Sequence, residues 1–574
     1  MKLKPVESIL APLFKMLEAL FELFVPLLVA EMVDVGILGG EGGIIVRCGL
    51  ILILLGVVGF VSSITAQYFA AKSAVAVGRA MRRDLFSHIN TLTYTEVDDI
   101  GVSTLITRMT ADVDQVQNGV NIFLRLFMRS PFVVFGAMIM AFTVDANTAW
   151  IFVLTILLLL VVVFLIPLVT MPLYKRVQSY LDRVTKSTRE NLSGVRVVRA
   201  FNRQSEESER YGEETSRLYR AQIFVGKISA FLNPVTFIII NLAIVALIYT
   251  GAIKVDAGEL SGGDVIALVN YMSQILVELI KLVNFIILMA KANASLHRVN
   301  AIFETQPSVD EKKGSIPEKK HGGVSVELDH VSFTYNGAAT EAISDISFRA
   351  EAGQTIGVIG GTGSGKSTLV NLIPRFYEPD SGIIKIDGVK STELSAMRLR
   401  DIIAVVPQKA SLFAGSIRDN LRIGCGEAED MKMYMALEAA QALEFVEQKG
   451  EGLDFMIEQG GRNLSGGQKQ RMTIARALVR DPSVLILDDS ASALDYATDA
   501  RLRAAIKEYS RDMTVFIVSQ RVGTVRTADK IAVLDDGRLA GFGTHSELLR
   551  SCDVYREICY SQLDGKEIER DEKQ

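Results

Sequence analysis

The chain has 574 residues, 49% of them hydrophobic, and its mean hydropathy of +0.29 is high for a soluble protein. Its formal net charge of −5 argues against nucleic acid as a partner. The apolar residues are concentrated in residues 1–300, whereas residues 324–550 have the alternating strand and helix signals of a soluble α/β domain. The four cysteines lack metal or redox spacing, so we interpret them as free structural thiols.

Long apolar segments in the first half approach the roughly 20 residues that a helix needs to cross a bilayer. They predict six membrane-spanning helices, at about residues 8–33, 44–71, 118–142, 148–172, 231–253 and 263–290. The two long connecting segments, 72–117 and 173–227, carry five and twelve Lys and Arg residues, whereas the short loops carry almost none. Basic residues favour the cytoplasmic side, so we expect both segments and the C-terminal domain to be cytoplasmic.

Charged residues also occur inside the predicted spans, in three groups: Lys15, Glu18 and Glu22; Arg125 and Arg129; Glu278 and Lys281. The first group lies on one face of a helix and could line a cavity. Such residues form a polar path for a substrate, make salt bridges between helices, or lie in cytoplasmic extensions outside the hydrocarbon core. Asp34, at the outer end of the first span, either helps to close an external gate or is a solvated loop carboxylate.

A polar, Lys-rich stretch predicts a linker at residues 305–323. It divides the chain into an all-α transmembrane domain with six helices and two cytoplasmic extensions, residues 1–304, and an α/β P-loop domain, residues 324–574. The predicted fold class is therefore an all-α transmembrane domain of six helices followed by an α/β P-loop nucleotide-binding domain.

The second domain contains a full match to the P-loop pattern G-x4-G-K-[ST]. It consists of Gly360, Gly361, Thr362, Gly363, Ser364, Gly365, Lys366 and Ser367, and Thr368 follows in the predicted helix. An apolar strand-like run precedes the motif, so the strand–loop–helix context is correct. The glycines allow backbone N–H groups to face phosphate at the helix N-terminus. We expect Lys366 to reach the β- and γ-phosphates of ATP and Ser367 to bind Mg²⁺.

Three further motifs follow in chain order. Gln408 comes directly after an apolar strand, Leu464-Ser465-Gly466-Gly467-Gln468 precedes a helix, and Asp488 ends a second apolar strand. Asp488 is placed to bind a metal ion.

Together these motifs resemble the nucleotide-binding domain of ABC transporters, from about Val324 to Leu549. The short outer loops and long cytoplasmic extensions resemble the exporter branch, with coupling helices expected near 93–104 and 200–210. The resemblance implies a cassette dimer in which ATP lies between one P-loop and the Ser465–Gln468 signature of the other cassette. It also implies that Tyr335 stacks on adenine, that Gln408 contacts Mg²⁺ and the attacking water, and that 492–495 form the D-loop. A single set of spans and one cassette imply a half-transporter that needs a second chain.

Two residues depart from the family pattern. Asp489 replaces the glutamate that orients the attacking water. Because aspartate is one methylene shorter, its carboxylate lies roughly 1–1.5 Å short of the position that the glutamate carboxylate would take. A misplacement of about 1 Å can lower the rate about a hundredfold. Gln520 replaces the switch histidine; it can still donate to a γ-phosphate oxygen but cannot become cationic. The pair predicts a site that binds ATP and hydrolyses it poorly.

This combination resembles the degenerate-site subunit of heterodimeric bacterial multidrug exporters. We therefore expect ATP-driven export of amphipathic small molecules across the bacterial cytoplasmic membrane, with a second half-transporter as partner. A lipid or peptide exporter, an uptake system of the same fold, and an ATP-gated channel or regulatory subunit are the alternatives.

Overall fold

The structure is a computed structural model that describes residues 5–309, 315, 322–490, 496–509 and 512–563. The chain forms two compact units. The helical unit comprises the residues up to Ser87 together with Leu105–Glu304, and the cassette unit comprises His88–Thr104 together with the residues from Thr305 onward. The segment 88–104 therefore packs with the C-terminal half of the chain, although it lies within the N-terminal domain predicted from the sequence.

Residues 5–304 are helical almost throughout. The helices are α1 (Pro5–Glu31), α2 (Gly42–Ile89), α3 (Tyr94–Ile100), α4 (Val102–Thr107), α5 (Val113–Leu126), α6 (Arg129–Val144), α7 (Ala146–Ala200), α8 (Gln204–Ala230), α9 (Leu232–Asp256) and α10 (Gly262–Glu304), with π-helical turns at Met32–Leu38 and Arg108–Asp112. The predicted spans coincide largely with these helices.

Among the residues that the structure describes, four helical stretches are long and apolar enough to cross a membrane: Gly42–Ile89, Val102–Val144, Ala146–Ala200 and Gln204–Asp256. Helices α1 and α10, which hold the first and sixth predicted spans, are not among these four. Both contain charged residues near their middle. The number of spans and their orientation stay predictions.

The charges of α1 and α10 meet in a network of ion pairs. Arg129, at the start of α6, donates to Glu22 of α1 and to Glu278 of α10, each at 2.6 Å. Lys281 donates to Glu278 at 2.8 Å, and Lys15 donates to Glu18 at 2.5 Å. The interpretation of these charges as salt bridges between helices is thus confirmed for Arg129.

Asp34 is more than a solvated loop carboxylate. Its Oδ1 accepts a hydrogen bond of 2.7 Å from the backbone N–H of Gly263, at the start of α10. The first N–H groups of a helix lack partners within the helix, so Asp34 satisfies one of them.

Twelve strands are formed by the described residues of the cassette unit. They are β1 (Val326–Phe333), β2 (Ile343–Ala350), β3 (Thr355–Gly360), β4 (Ser381–Ile386), β5 (Val389–Lys390), β6 (Ile403–Val406), β7 (Gly415–Ser416), β8 (Met456–Ile457), β9 (Val484–Asp488), β10 (Thr514–Val518), β11 (Lys530–Asp535) and β12 (Arg538–Gly543). The helices between and after them are α11 (Lys366–Leu372), α12 (Ala396–Ile402), α13 (Ile417–Arg422), α14 (Asp430–Ala439), α15 (Leu443–Gln448), α16 (Gly466–Leu478), α17 (Tyr496–Tyr509), α18 (Val522–Val525), α19 (His545–Ser551) and α20 (Asp553–Gln562).

The strands form a six-stranded sheet of order β12-β11-β3-β10-β9-β6, a four-stranded antiparallel sheet of order β2-β1-β4-β5, and the short pair β7-β8. In the six-stranded sheet all neighbours are parallel except β12, which pairs antiparallel with β11. Every residue of β9 is buried, as expected for a parallel strand covered on both faces. With the helical N-terminal half, this α/β cassette confirms the predicted fold class.

The short helix α3 belongs to the cassette unit through several side chains. Tyr94 stacks on Phe376 with ring centroids 4.5 Å apart, and Asp98 accepts a hydrogen bond of 2.6 Å from Tyr377 Oη. Glu96 accepts from the backbone N–H of Ser308 at 3.0 Å. The segment near 93–104, where the first coupling helix is expected, contains α3 and the start of α4. At the second expected position, residues 201–203 form the turn between α7 and α8.

The Arg129 network generates a stability prediction. Arg129→Ala should lower stability by about 3 kcal/mol, because Glu278, only 3% exposed, would lose a cationic partner in a buried position. The measurement is thermal unfolding of the purified protein in lipid nanodiscs. Arg83→Ala is the control, because the Arg83–Asp84 pair is solvent-exposed and worth little. Equal melting temperatures for the two variants would contradict the prediction.

Candidate functional site

The candidate site lies at one edge of the six-stranded sheet. Strands β3, β10, β9 and β6 are adjacent and parallel, so their carboxyl ends meet at the same edge. In open α/β sheets this edge is where ligands bind. The P-loop follows β3, Gln520 follows β10, Asp488 ends β9 and Gln408 follows β6.

The P-loop depends on two glycines. Gly363 and Gly365 have φ values of 84° and 89°, a region that L-residues other than glycine rarely adopt. A Cβ atom on Gly365 would also lie 2.6 Å from the carbonyl oxygen of Ala342. The loop therefore enters α11 with its backbone in the conformation that exposes N–H groups to an anion.

Lys366 begins α11 and is 9% exposed. Its Nζ donates to the carbonyl oxygens of Gly360 at 3.0 Å and Gly361 at 2.5 Å and to Ser364 Oγ at 3.3 Å. Burial lowers the pKa of Lys366, and the nearby carboxylates of Asp489 and Asp488 partly oppose that shift. The ammonium is thus held inside the P-loop curve, where a polyphosphate would stabilise its charged form.

Ser367 and Asp488 are in direct contact. Ser367 Oγ donates to Asp488 Oδ1 at 2.9 Å, and Asp488 is 6% exposed. Burial raises the pKa of Asp488; the Ser367 hydroxyl and Lys366 lower it, whereas Asp489 raises it further. A cation at this position would therefore stabilise the ionised carboxylate.

These two oxygens fit a magnesium ion bound mainly by substrate. Mg²⁺ prefers oxygen ligands and is usually held by one or two protein groups together with water and phosphate. Within the described ranges no group of three or more His, Cys, Asp or Glu residues could hold a metal ion by itself. Ser367 and Asp488 would hold the ion, which supplies charge neutralisation for the phosphates.

Asp489 has an unusual backbone and a specific partner. Its φ is 43°, in the left-handed region, which Asp tolerates better than most residues. Its backbone N–H donates to the carbonyl of Val518 at 3.0 Å, which ties it to the end of β10. Its carboxylate Oδ2 accepts a hydrogen bond of 3.2 Å from Gln408 Nε2. The structure therefore brings together Asp489 and Gln408, two of the three residues predicted to be the catalytic residues of this site.

Gln520, the third of these residues, has an exposed side chain. The backbone around it is fixed by Gln562 of α20, whose Nε2 donates to the Gln520 carbonyl at 2.8 Å and whose Oε1 accepts from Val522 N–H at 2.9 Å. Sequence reasoning missed Gln562 because no motif marks its position. The contact forms across 42 residues and depends on the packing of α20.

The signature segment forms the N-terminus of α16. Ser465 caps the helix: its Oγ accepts from the backbone N–H of Gln468, and Gln468 Oε1 accepts from the backbone N–H of Ser465 at 2.9 Å. Gly466 and Gly467 form the first turn, and a Cβ on Gly466 would meet no atom within 4 Å. An open helix N-terminus with small residues suits an anionic ligand. Lys366, Ser367 and Asp488 instead make hydrogen bonds within the P-loop and to the end of β9.

Tyr335 lies next to the P-loop helix. Its Oη is 3.1 Å from Thr368 Oγ1, and its ring packs edge-on against Phe333 and Tyr377 at centroid distances of 5.0 and 5.4 Å. Sequence reasoning missed Tyr377, which is 7% exposed and supports the Tyr335 ring. Burial, and then the hydrogen bond to Asp98, raise the pKa of the Tyr377 hydroxyl, so it stays a donor. The predicted D-loop, 492–495, lies outside the described residues.

Comparison with known proteins gives two family matches. Residues 8–279 match the ABC transporter transmembrane region, and residues 343–492 match the ABC transporter family. An uncharacterized ABC transporter ATP-binding protein of Mycobacterium tuberculosis (strain CDC 1551 / Oshkosh) is 36% identical over 569 residues, covering 98% of this chain and 97% of the relative. The uncharacterized ABC transporter ATP-binding protein YfiB of Bacillus subtilis (strain 168) is 35% identical, with 98% of each chain covered.

A solved structure of a bacterial Atm1-family ABC exporter with ATP bound has the same fold. Its TM-score is 0.79, with 23% identity and 98% of each chain covered. The similarity extends over the helical half and the cassette. The chain belongs to the ABC transporter family, as an exporter-type half-transporter in which the transmembrane region and the nucleotide-binding domain are fused.

Proposed function

We propose that this half-transporter works as the degenerate-site subunit of a heterodimeric exporter of amphipathic compounds. Its own P-loop site binds ATP and hydrolyses it slowly, and its signature completes the hydrolytic site of the partner chain. The observation that carries the proposal is the bond between Gln408 and Asp489 beside a complete set of phosphate and metal contacts. A lipid or peptide substrate is the alternative within the same fold.

The binding half of the site is intact. Lys366 lies within the P-loop curve, Ser367 and Asp488 are paired for a magnesium ion, and Tyr335 is supported on two sides by aromatic rings. Each of these groups contacts the nucleotide or its metal ion rather than the attacking water. ATP affinity is therefore expected to be retained.

The hydrolytic half is weakened at two positions. Asp489 is shorter than the family's glutamate, and its carboxylate is bonded to the Gln408 amide that should help position water. Gln520 presents an exposed amide that cannot carry a positive charge. Catalytic groups that act on one water work as a unit, so two weakened members reduce the rate strongly.

The signature supports an asymmetric pairing. Ser465, Gly466 and Gly467 keep the arrangement suited to a γ-phosphate, with an open helix N-terminus. In a homodimer this segment would serve a second weakened site. In a heterodimer it serves the partner's ATP, which accounts for an intact signature in a chain with a weakened P-loop site.

The location of the cassette is part of the proposal. The basic segments 72–117 and 173–227 and the long apolar helices support a cytoplasmic cassette on a bacterial inner membrane.

The proposed function predicts the effect of restoring the catalytic pair. Asp489→Glu with Gln520→His should raise ATP hydrolysis at this site at least about tenfold. The longer carboxylate would reach the attacking water, and the imidazole could take part in proton transfer. Each single change should give less, and Asp489→Glu alone also places a longer side chain at a left-handed φ of 43°. The measurement is ATP turnover of the heterodimer with the P-loop lysine of the partner changed to alanine.

Asp489→Asn is the matched control, because Asn tolerates the same backbone conformation but is uncharged. It should leave turnover of the intact heterodimer within about twofold, since Asp489 contributes little to the working site. A fall of about a hundredfold in the heterodimer whose partner carries the P-loop alanine, where only this chain's own site is read, would mean that Asp489 is an active base, and the degenerate-site proposal would be wrong.

The proposed function also predicts the effect of a change in the signature. Ser465→Ala should reduce ATP turnover of the heterodimer at least about tenfold, because the hydroxyl faces the γ-phosphate of the partner's nucleotide. Thr544→Ala is a matched control: Thr544 caps α19 with the same capping box but lies outside the site. Both variants should lose about 1 kcal/mol of stability from the missing cap, and only the first should lose turnover. A similar effect of the two variants on turnover would show that Ser465 acts only as a cap.

A further inference from the structure

The helical unit contains a cavity of about 320 Å³ between α1 and α10. Its wall combines apolar side chains, among them Val25 and Val29, with the polar side chains of Asn270, Ser273 and Gln274. Pockets that hold small molecules have volumes of roughly 300–1,000 Å³. The cavity is therefore large enough for one end of an amphipathic compound.

The charges around this cavity are distributed unevenly. The carboxylates of Glu22 and Glu278 belong to its wall, whereas the cations that pair with them do not. Arg129 donates to both carboxylates at 2.6 Å, and Lys281 donates to Glu278 at 2.8 Å. The ion network is balanced as a whole, but both of its residues that line the cavity are carboxylates, and Glu22 is the more exposed of the two.

One carboxylate oxygen on this wall is open to a ligand, and one amide oxygen is enclosed without a partner. The Glu22 side chain is 42% exposed, and in the described part of the chain its contact with Arg129 uses only Oε2. Gln274 Oε1 is buried without a hydrogen-bond partner among the described residues. A buried acceptor without a partner costs free energy until a donor reaches it. A hydrogen-bond donor in the cavity would therefore meet the Glu22 carboxylate first, with the Gln274 oxygen behind it.

We propose that this cavity binds the ammonium group of a protonated amphipathic amine, with Glu22 as the main contact and the Gln274 carbonyl as a second acceptor once its side chain turns toward the cavity. An ammonium group has three donors and no acceptor, which matches these oxygens. The apolar body of the ligand packs against Val25 and Val29. The proposal rests on the proposed export function and specifies the charge of the compounds that are exported.

The competing interpretation is that the charges only hold the helices together. Glu18 separates the two interpretations. It belongs to the same network, with Lys15 at 2.5 Å and Arg129 at 3.9 Å, but it does not line the cavity. If the charges only hold the helices together, changes of Glu18 and of Glu22 should affect amine binding equally. If the cavity binds the amine, only the change of Glu22 should weaken that binding.

The experiment uses two fluorescent probes with the same apolar body, 1-pyrenemethylamine, which is cationic at neutral pH, and 1-pyrenemethanol, which is neutral. Binding to the complex of this chain with its partner in lipid nanodiscs is measured by fluorescence anisotropy, and export is measured in inverted vesicles. Glu22→Gln should raise the half-saturating concentration of the amine about tenfold, because a charge-assisted hydrogen bond is lost. The alcohol should be unaffected, and Glu18→Gln should change neither probe by more than about twofold.

Three results would overturn this inference: equal effects of Glu22→Gln and Glu18→Gln on the amine, no effect of Glu22→Gln, or wild-type binding of the alcohol as tight as that of the amine. Export of both probes without discrimination would remove the inference but leave the proposed function in place. Binding of the amine that depends on Glu22, without export of either probe, would instead support this site and contradict the proposed function.

Discussion

The parallel pairing of β3, β10, β9 and β6 is the constraint on which the site depends. It aligns four strand ends, so that residues more than a hundred positions apart along the chain surround one nucleotide site. The bond between Ser367 and Asp488, at 2.9 Å, exists because β3 and β9 both flank β10. The backbone bond from Asp489 to Val518 has the same origin. A residue change at one strand end therefore acts directly on groups contributed by the others.

That arrangement explains how binding and hydrolysis can be separated in one cassette. The groups proposed to hold phosphate and metal come from the P-loop and the end of β9, and Lys366 and Asp488 among them are buried. The groups proposed to act on the attacking water and the γ-phosphate, Gln408, Asp489 and Gln520, come from the loops just beyond the sheet and are partly or fully exposed. Loss of reach or charge in the second group leaves the first group undisturbed, so a chain can retain tight binding while its partner carries out most of the hydrolysis.

The local features could be predicted from the sequence, and the long-range ones could not. The P-loop was predictable because its geometry requires glycine at positions such as Gly365, and the helical half because spans need long apolar segments. The roles of Tyr377 and Gln562 depend on packing between distant residues, which no local pattern encodes. Likewise, Asp34 could not be assigned to the start of α10, because 229 residues separate the two ends of that hydrogen bond.

The central claim is that ATP in this chain's own P-loop outlasts the turnover of the partner's ATP. Photolabelling with 8-azido-ATP carrying 32P in the α- or the γ-phosphate tests it directly, on the heterodimer during steady-state hydrolysis. The account predicts that this chain retains the γ-label and the α-label in nearly equal amounts, whereas the partner retains mainly the α-label. Equal loss of the γ-label from both chains would contradict it, because both sites would then hydrolyse ATP at similar rates.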